Sequence, residues 1–85
     1  MSRSVAPDED RVFASQVAKI VRDTRIGRGW SQEALARRAG LSTANVRRLE
    51  NQPSPAMSFV TIGKLALTLD LSLDALFTHF TESHE

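Results

Sequence analysis

The chain has 85 residues, 41% hydrophobic and 25% charged, with no cysteine and a formal net charge of +1. That length fits one domain with a small core, since a chain of this size buries only about 60–65% of its unfolded surface. The lack of cysteine excludes a disulfide framework and a thiolate zinc site and fits a reducing cytoplasm, and no apolar run approaches the ~20 residues of a membrane span.

Residues 1–9 read as a flexible polar tail, too acidic for a secretory or transit leader. The first helix is expected from about Asp10 to Arg28, where Phe13, Val17, Ile20 and Thr24 recur at spacings of four, three and four. Gly27 and Gly29 end it.

A serine flanked by apolar residues then appears four times. Ser31 follows Trp30 and precedes Leu35, Ser42 lies between Leu41 and Val46, Ser58 between Met57 and Ile62, and Ser72 between Leu71 and Leu76. Each serine can cap a helix by accepting an orphan backbone N–H, and each apolar pair can close a staple over the first turn. The four caps set helix starts near residues 32, 43, 59 and 73, with ends near 39, 50, 69 and 80. Gln52-Pro53-Ser54-Pro55 is a loop, because two prolines so close interrupt any helix. No segment shows sustained period-two alternation, so the fold is all-α with five helices spanning residues 10–80, followed by a polar tail, residues 81–85.

The short second and third helices are joined through Ala39-Gly40-Leu41-Ser42, with Gly40 where the chain needs a positive φ. Ala36 is small where the two would cross. Leu35, Ala39, Leu41, Val46 and Leu49 supply the apolar contacts, so the pair forms a helix-turn-helix.

Charge is unevenly spread along these elements. Residues 1–24 are neutral, residues 25–48 carry six arginines against Glu33 alone, for +5, and residues 49–85 carry Lys64 against five acids, for −4. A solvated helix face is the simple reading of such a run. Arginine is also the side chain whose planar fork suits phosphates and guanine edges.

The stretch SQEALARRAGLSTANVRRLEN, residues 31–51, resembles the phage repressor/Cro-type helix-turn-helix family, also called the xenobiotic-response-element family. RIGRGWSQ before it and IGKLALTLDLSLDALF after it resemble the family's first, fourth and fifth helices, so the likeness covers about residues 12–77. Three features depart from the pattern: Gln52 replaces a frequent glycine, the QPSPAMS connection is longer and richer in proline, and Asp70 stands where glycine commonly ends the fourth helix.

The resemblance implies a five-helix repressor-like DNA-binding domain whose third helix enters the major groove of double-stranded DNA. It makes Thr43, Ala44, Arg47 and Arg48 the base readers, with Ser42 and Asn45 flanking them. The spacing agrees, since these four residues share one strip at three- and four-residue intervals while Val46 and Leu49 point inward. Arginine can bond guanine through O6 and N7, and Ala44 and the Thr43 methyl suit a thymine methyl. For Arg47 and Arg48 the alternatives are phosphate contact or plain solvation. Gln32 resembles the family glutamine that bonds a phosphate at a helix N-terminus. Arg28 and Asn51 flank the motif as further phosphate contacts. Arg37 and Arg38 are weaker candidates, solvated surface being the simpler role for at least one. Arg25 resembles the family arginine that pairs with Glu50, a structural role.

No catalytic residue, metal site or cofactor is expected. His79 and His84 lack partners at ligand spacing, the serines act as caps, and Trp30 reads as a staple and core residue. One module this small reads few base pairs, so a homodimer on a pseudo-palindromic operator is expected. Leu73, Leu76, Phe77 and Phe80 are the candidate dimer contacts, with internal packing as the alternative for Phe77 and Phe80. The expectation is a cytoplasmic, sequence-specific transcriptional regulator with no ligand sensor, autoregulatory in the manner of restriction–modification controller proteins or Cro-like repressors. RNA polymerase is a further partner open to such a regulator. The rival is an antitoxin that binds a protein toxin and autoregulates its operon, although both tails are short and polar.

Overall fold

The computed structural model describes residues 7–72 and 74–76. Four helices hold most of them: α1 (Pro7–Gly27), α2 (Gln32–Ala39), α3 (Thr43–Asn51) and α4 (Phe59–Leu69). Residues 74–76 are helical too, where the fifth helix starts. No strand occurs among the described residues, and the fold is the expected all-α, five-helix one.

All four serine caps form. The Oγ of Ser31 accepts from the Ala34 N–H at 3.0 Å, and that of Ser42 from Asn45 at 3.0 Å. Ser58 accepts from Val60 and Thr61 at 3.1 and 3.3 Å, and Ser72 from Ala75 at 3.0 Å. Each such cap stabilises its helix by about 1 kcal/mol. The staple partners also share the core: Trp30 and Leu41 lie over the cluster that holds Leu35 and Val46, while Leu71 lies beside Leu76.

α1 starts three residues earlier than expected, so residues 7–9 belong to the helix and not to a tail. Pro7 is its first residue, where a missing N–H costs nothing, and Asp8, Glu9 and Asp10 fill a first turn that favours negative charge. Two other ends repeat one motif. Gly40 takes φ 71° after α2, and Asp70 takes φ 58° after α4, each N–H reaching back to two carbonyls of the last turn. Asp70 thus adopts the left-handed conformation that glycine serves elsewhere. Gln52, by contrast, ends α3 at φ −136°, so no glycine is needed there.

α2 packs on α3 and α4, and α1 crosses both. Leu35, Val46, Val21, Leu65, Leu69 and Leu76 are fully buried between them. Burying one such side chain contributes roughly 1.5–3 kcal/mol. The packing fixes α3 on the rest of the domain through its inner residues only, leaving its other side in water.

Candidate nucleic-acid interface

α3 turns Val46, Leu49 and Glu50 inward. At 3.6 residues per turn that sets Ala44, Arg47, Arg48 and Asn51 on the opposite side, and all four are exposed. Thr43 and Asn45 are half-buried at the two margins of this strip, and Ser42 holds the start of the helix as its cap. The expected base readers therefore do share one face. Among the described residues Arg47 and Arg48 have no acidic partner within salt-bridge distance, so two uncompensated cations flank Ala44 and Asn51 on the strip.

Behind the strip lies a buried carboxylate. Glu50 has a side-chain exposure of 0%, and Arg25 grips it with Nε on Oε2 at 2.7 Å and Nη2 on Oε1 at 2.9 Å. Gln32 donates from Nε2 to Oε1 of Glu50 at 3.0 Å. Arg25 also donates from Nη1 to the Trp30 carbonyl at 2.8 Å. The network joins the end of α1, the start of α2 and the end of α3, so the exposed strip is held at a fixed angle. A buried charge is tolerated only when paired and bonded in this way. The Gln32 amide carries two N–H donors, of which Glu50 takes one. The second takes no hydrogen-bond partner among the described residues.

Arg28 has a partner within the protein. Its Nη2 donates to the Leu69 carbonyl at 2.8 Å, satisfying the last turn of α4, and its guanidinium lies 5.4 Å from the centre of the Trp30 ring. Arg38 stacks over the same ring at 4.5 Å. Trp30 is thus both a core staple and a platform for two cations, a role that its sequence position did not reveal. Arg37 is exposed, without an ion pair among the described residues.

The structure adds a feature that sequence reasoning missed. Asn45, Arg48 and Gln52 face Ser54, Ser58 and Thr61 across a cleft of about 360 Å³ between α3 and the start of α4. Arg48 thus stands at the junction of the exposed strip and this cleft, which Leu49, Ala56 and Met57 also line. No local sequence signal marks it, because the loop over 52–58 brings the two sides together.

Of the dimer contacts expected from sequence, Leu73, Phe77 and Phe80 lie outside the described residues. Leu76 is corrected: it is 1% exposed and packs with Val17 and Ala66 in the chain's own core. Its side chain meets α1 at Val17 and α4 at Ala66. Among the described residues no group of three His, Cys, Asp or Glu could hold a metal ion, and His79 and His84 fall outside them. No described helix is long and apolar enough to cross a membrane.

Comparison with known proteins points the same way. Residues 15–82 match the Cro/C1-type HTH DNA-binding domain. A crystal structure of an HTH_3 family transcriptional regulator from Vibrio cholerae superposes with a TM-score of 0.71 at 33% identity. The alignment covers 82% of this chain and 39% of that one, so this chain spans well under half of the regulator's length. Among curated proteins there is no significant match. The family is one of DNA-binding domains and not of enzymes. With two short helices at a fixed angle, a glycine turn, a braced Glu50 and an arginine-bearing outer strip, the chain belongs to the Cro/C1-type helix-turn-helix DNA-binding domains.

Proposed function

We propose that the chain is a transcriptional regulator that binds a pseudo-palindromic DNA operator as a homodimer and controls its own promoter. The observation that carries this reading is the exposed face of α3, where Arg47 and Arg48 stand without acidic partners beside Ala44 and Asn51. A strip of that shape suits the major groove, with arginine on guanine edges and the Ala44 and Thr43 methyls on thymine. Ser42 and Asn45 flank it. Gln32 offers its second amide donor to a phosphate, aided by the α2 N-terminus, and Asn51 makes a phosphate contact at the other end. Arg28 serves chiefly to hold α4 through the Leu69 carbonyl.

The name of the Vibrio cholerae relative supports a regulatory role. The homodimer follows from specificity: one reading helix covers a few base pairs, too few against a genome of competing sites, whereas two half-sites one helical turn apart suffice. Dimerisation at rising concentration would then set when the promoter is occupied, as in a restriction–modification controller or a small Cro-like repressor.

Selection of bound duplexes from random DNA tests this reading. The expected product is an inverted repeat with half-site centres about 34–36 Å apart. Enrichment of no sequence at all would contradict it.

A further inference from the structure

The first half of α1, the loop over 52–58 and the start of α4 enclose a groove of about 500 Å³. Phe13 and Val17 line it from α1, and Met57, Phe59 and Ile62 from the other side, while Asp10 and Ser54 are its polar lining residues. Covering such an apolar surface is favourable, and Phe59 is still 79% exposed.

The course of the chain leads into this groove. Arg28 bonds the Leu69 carbonyl, so α4 ends beside the C-terminal end of α1. Leu76 packs with Val17 and Ala66, about three turns back along α1 from Arg28. Between Leu69 and Leu76 the chain has therefore travelled toward the start of α1. Ser72 caps the helix that residues 74–76 begin. Continued by one turn in the same direction, about 6 Å, that helix carries position 80 on the face of Leu76 to the level of Phe13. Phe13, Met57 and Ile62 pack on the cluster of Val17, Ala66 and Leu76 and also line the groove, so the groove is the open continuation of that cluster.

The sequence supplies what the groove requires. Residues 77–85 read FTHFTESHE, with Phe77 and Phe80 as their large apolar side chains. The same flank of α1 also lacks a donor: Gln16, which shares a face with Phe13 and Ile20, has its Oε1 buried without a hydrogen-bond partner among the described residues. A buried acceptor calls for a donor, and Thr78, His79 and Thr81 beside Phe80 each carry one. A segment seated here would also support the loop over 52–58 from behind, since Ser54 and Met57 line both this groove and the cleft at Arg48.

We propose that residues 77–85 dock on the chain's own groove between α1 and α4, with the Phe80 ring seated between Phe13 and Ile62, a contact independent of the homodimer reading. Chymotrypsin cuts after phenylalanine, so the rate of cleavage after Phe77 and Phe80, read by mass spectrometry, reports whether the segment is covered. A free peptide of residues 77–85 sets the uncovered rate. The full chain is expected to be cut there roughly tenfold more slowly, and equally slowly at every dilution, because a seat on the same chain does not depend on concentration. Phe13→Asp puts a charge into the groove and is expected to restore the rate of the peptide, with circular dichroism to check that helix content is kept. Phe59→Asp gives the same comparison should Phe13→Asp lose helix, since it falls on the exposed first residue of α4, where a carboxylate suits the helix N-terminus. A full chain cut as fast as the peptide overturns the docking. Protection that disappears on dilution overturns it in favour of a second copy in the groove, and protection that the folded variants keep overturns the groove as the seat.

Discussion

Arg25 holds both oxygens of Glu50, at 2.7 and 2.9 Å, and so ties the last turn of α1 to the last turn of α3 across 25 residues of sequence. The carboxylate is wholly buried and Gln32 completes its bonding, so removing the arginine leaves an uncompensated charge in the core. Arg25→Ala should therefore lower stability by about 3–5 kcal/mol, the usual cost of breaking a buried pair from one side. Urea unfolding followed by circular dichroism measures it. A loss below about 1 kcal/mol would match an exposed pair and contradict the bracing role.

Arg28 separates a structural role from a DNA-binding one. Its bond to the Leu69 carbonyl predicts that Arg28→Ala costs about 1 kcal/mol of stability. DNA affinity of the folded variant should keep its salt dependence. A log–log salt slope shallower by about 0.9 would instead identify a phosphate contact.

Asp70 sits in the left-handed region at φ 58°, where a side chain costs about 1 kcal/mol and glycine costs little. Asp70→Gly should raise stability by about 1 kcal/mol, seen as a higher urea midpoint at an unchanged slope. A destabilised variant would mean that the Asp70 carboxylate makes a contact worth more than the strain.

Gln32 is expected to contact phosphate through the amide donor that Glu50 leaves open. Gln32→Ala should weaken binding on every duplex by a similar factor, without changing which sequence is preferred. A change confined to one base position would make it a base reader.

Much of this architecture is legible in the sequence because its signals are local. The serine caps at Ser31, Ser42, Ser58 and Ser72 each depend on a residue two or three positions away, and all four form. The exposed strip of α3 is legible for the same reason, since periodicity alone separates Ala44, Arg47 and Arg48 from Val46 and Leu49. What escaped depends on distant partners. The Arg28 bond spans 41 residues, and the cleft at Arg48 forms only when the loop over 52–58 folds back beside α3. Leu76 shows the limit of a stripe: periodicity says that it is on an apolar side, and only the tertiary packing says that Leu76 itself faces Val17 and Ala66. The exposed face of α4 was hidden in turn by a helix apolar on both sides, in which Phe59 and Leu67 look like core residues.

Base reading by α3 is tested most directly by repeating the selection from random DNA with the Arg48→Ala variant. Arg48 is exposed on the outer strip of α3, and a bidentate arginine–guanine contact is worth roughly 1–3 kcal/mol of discrimination. The expected result is an inverted repeat in which one base position of each half-site loses or changes its preference while the others keep theirs. An unchanged consensus, bound uniformly more weakly, would contradict base reading by Arg48 and assign it to the phosphate backbone.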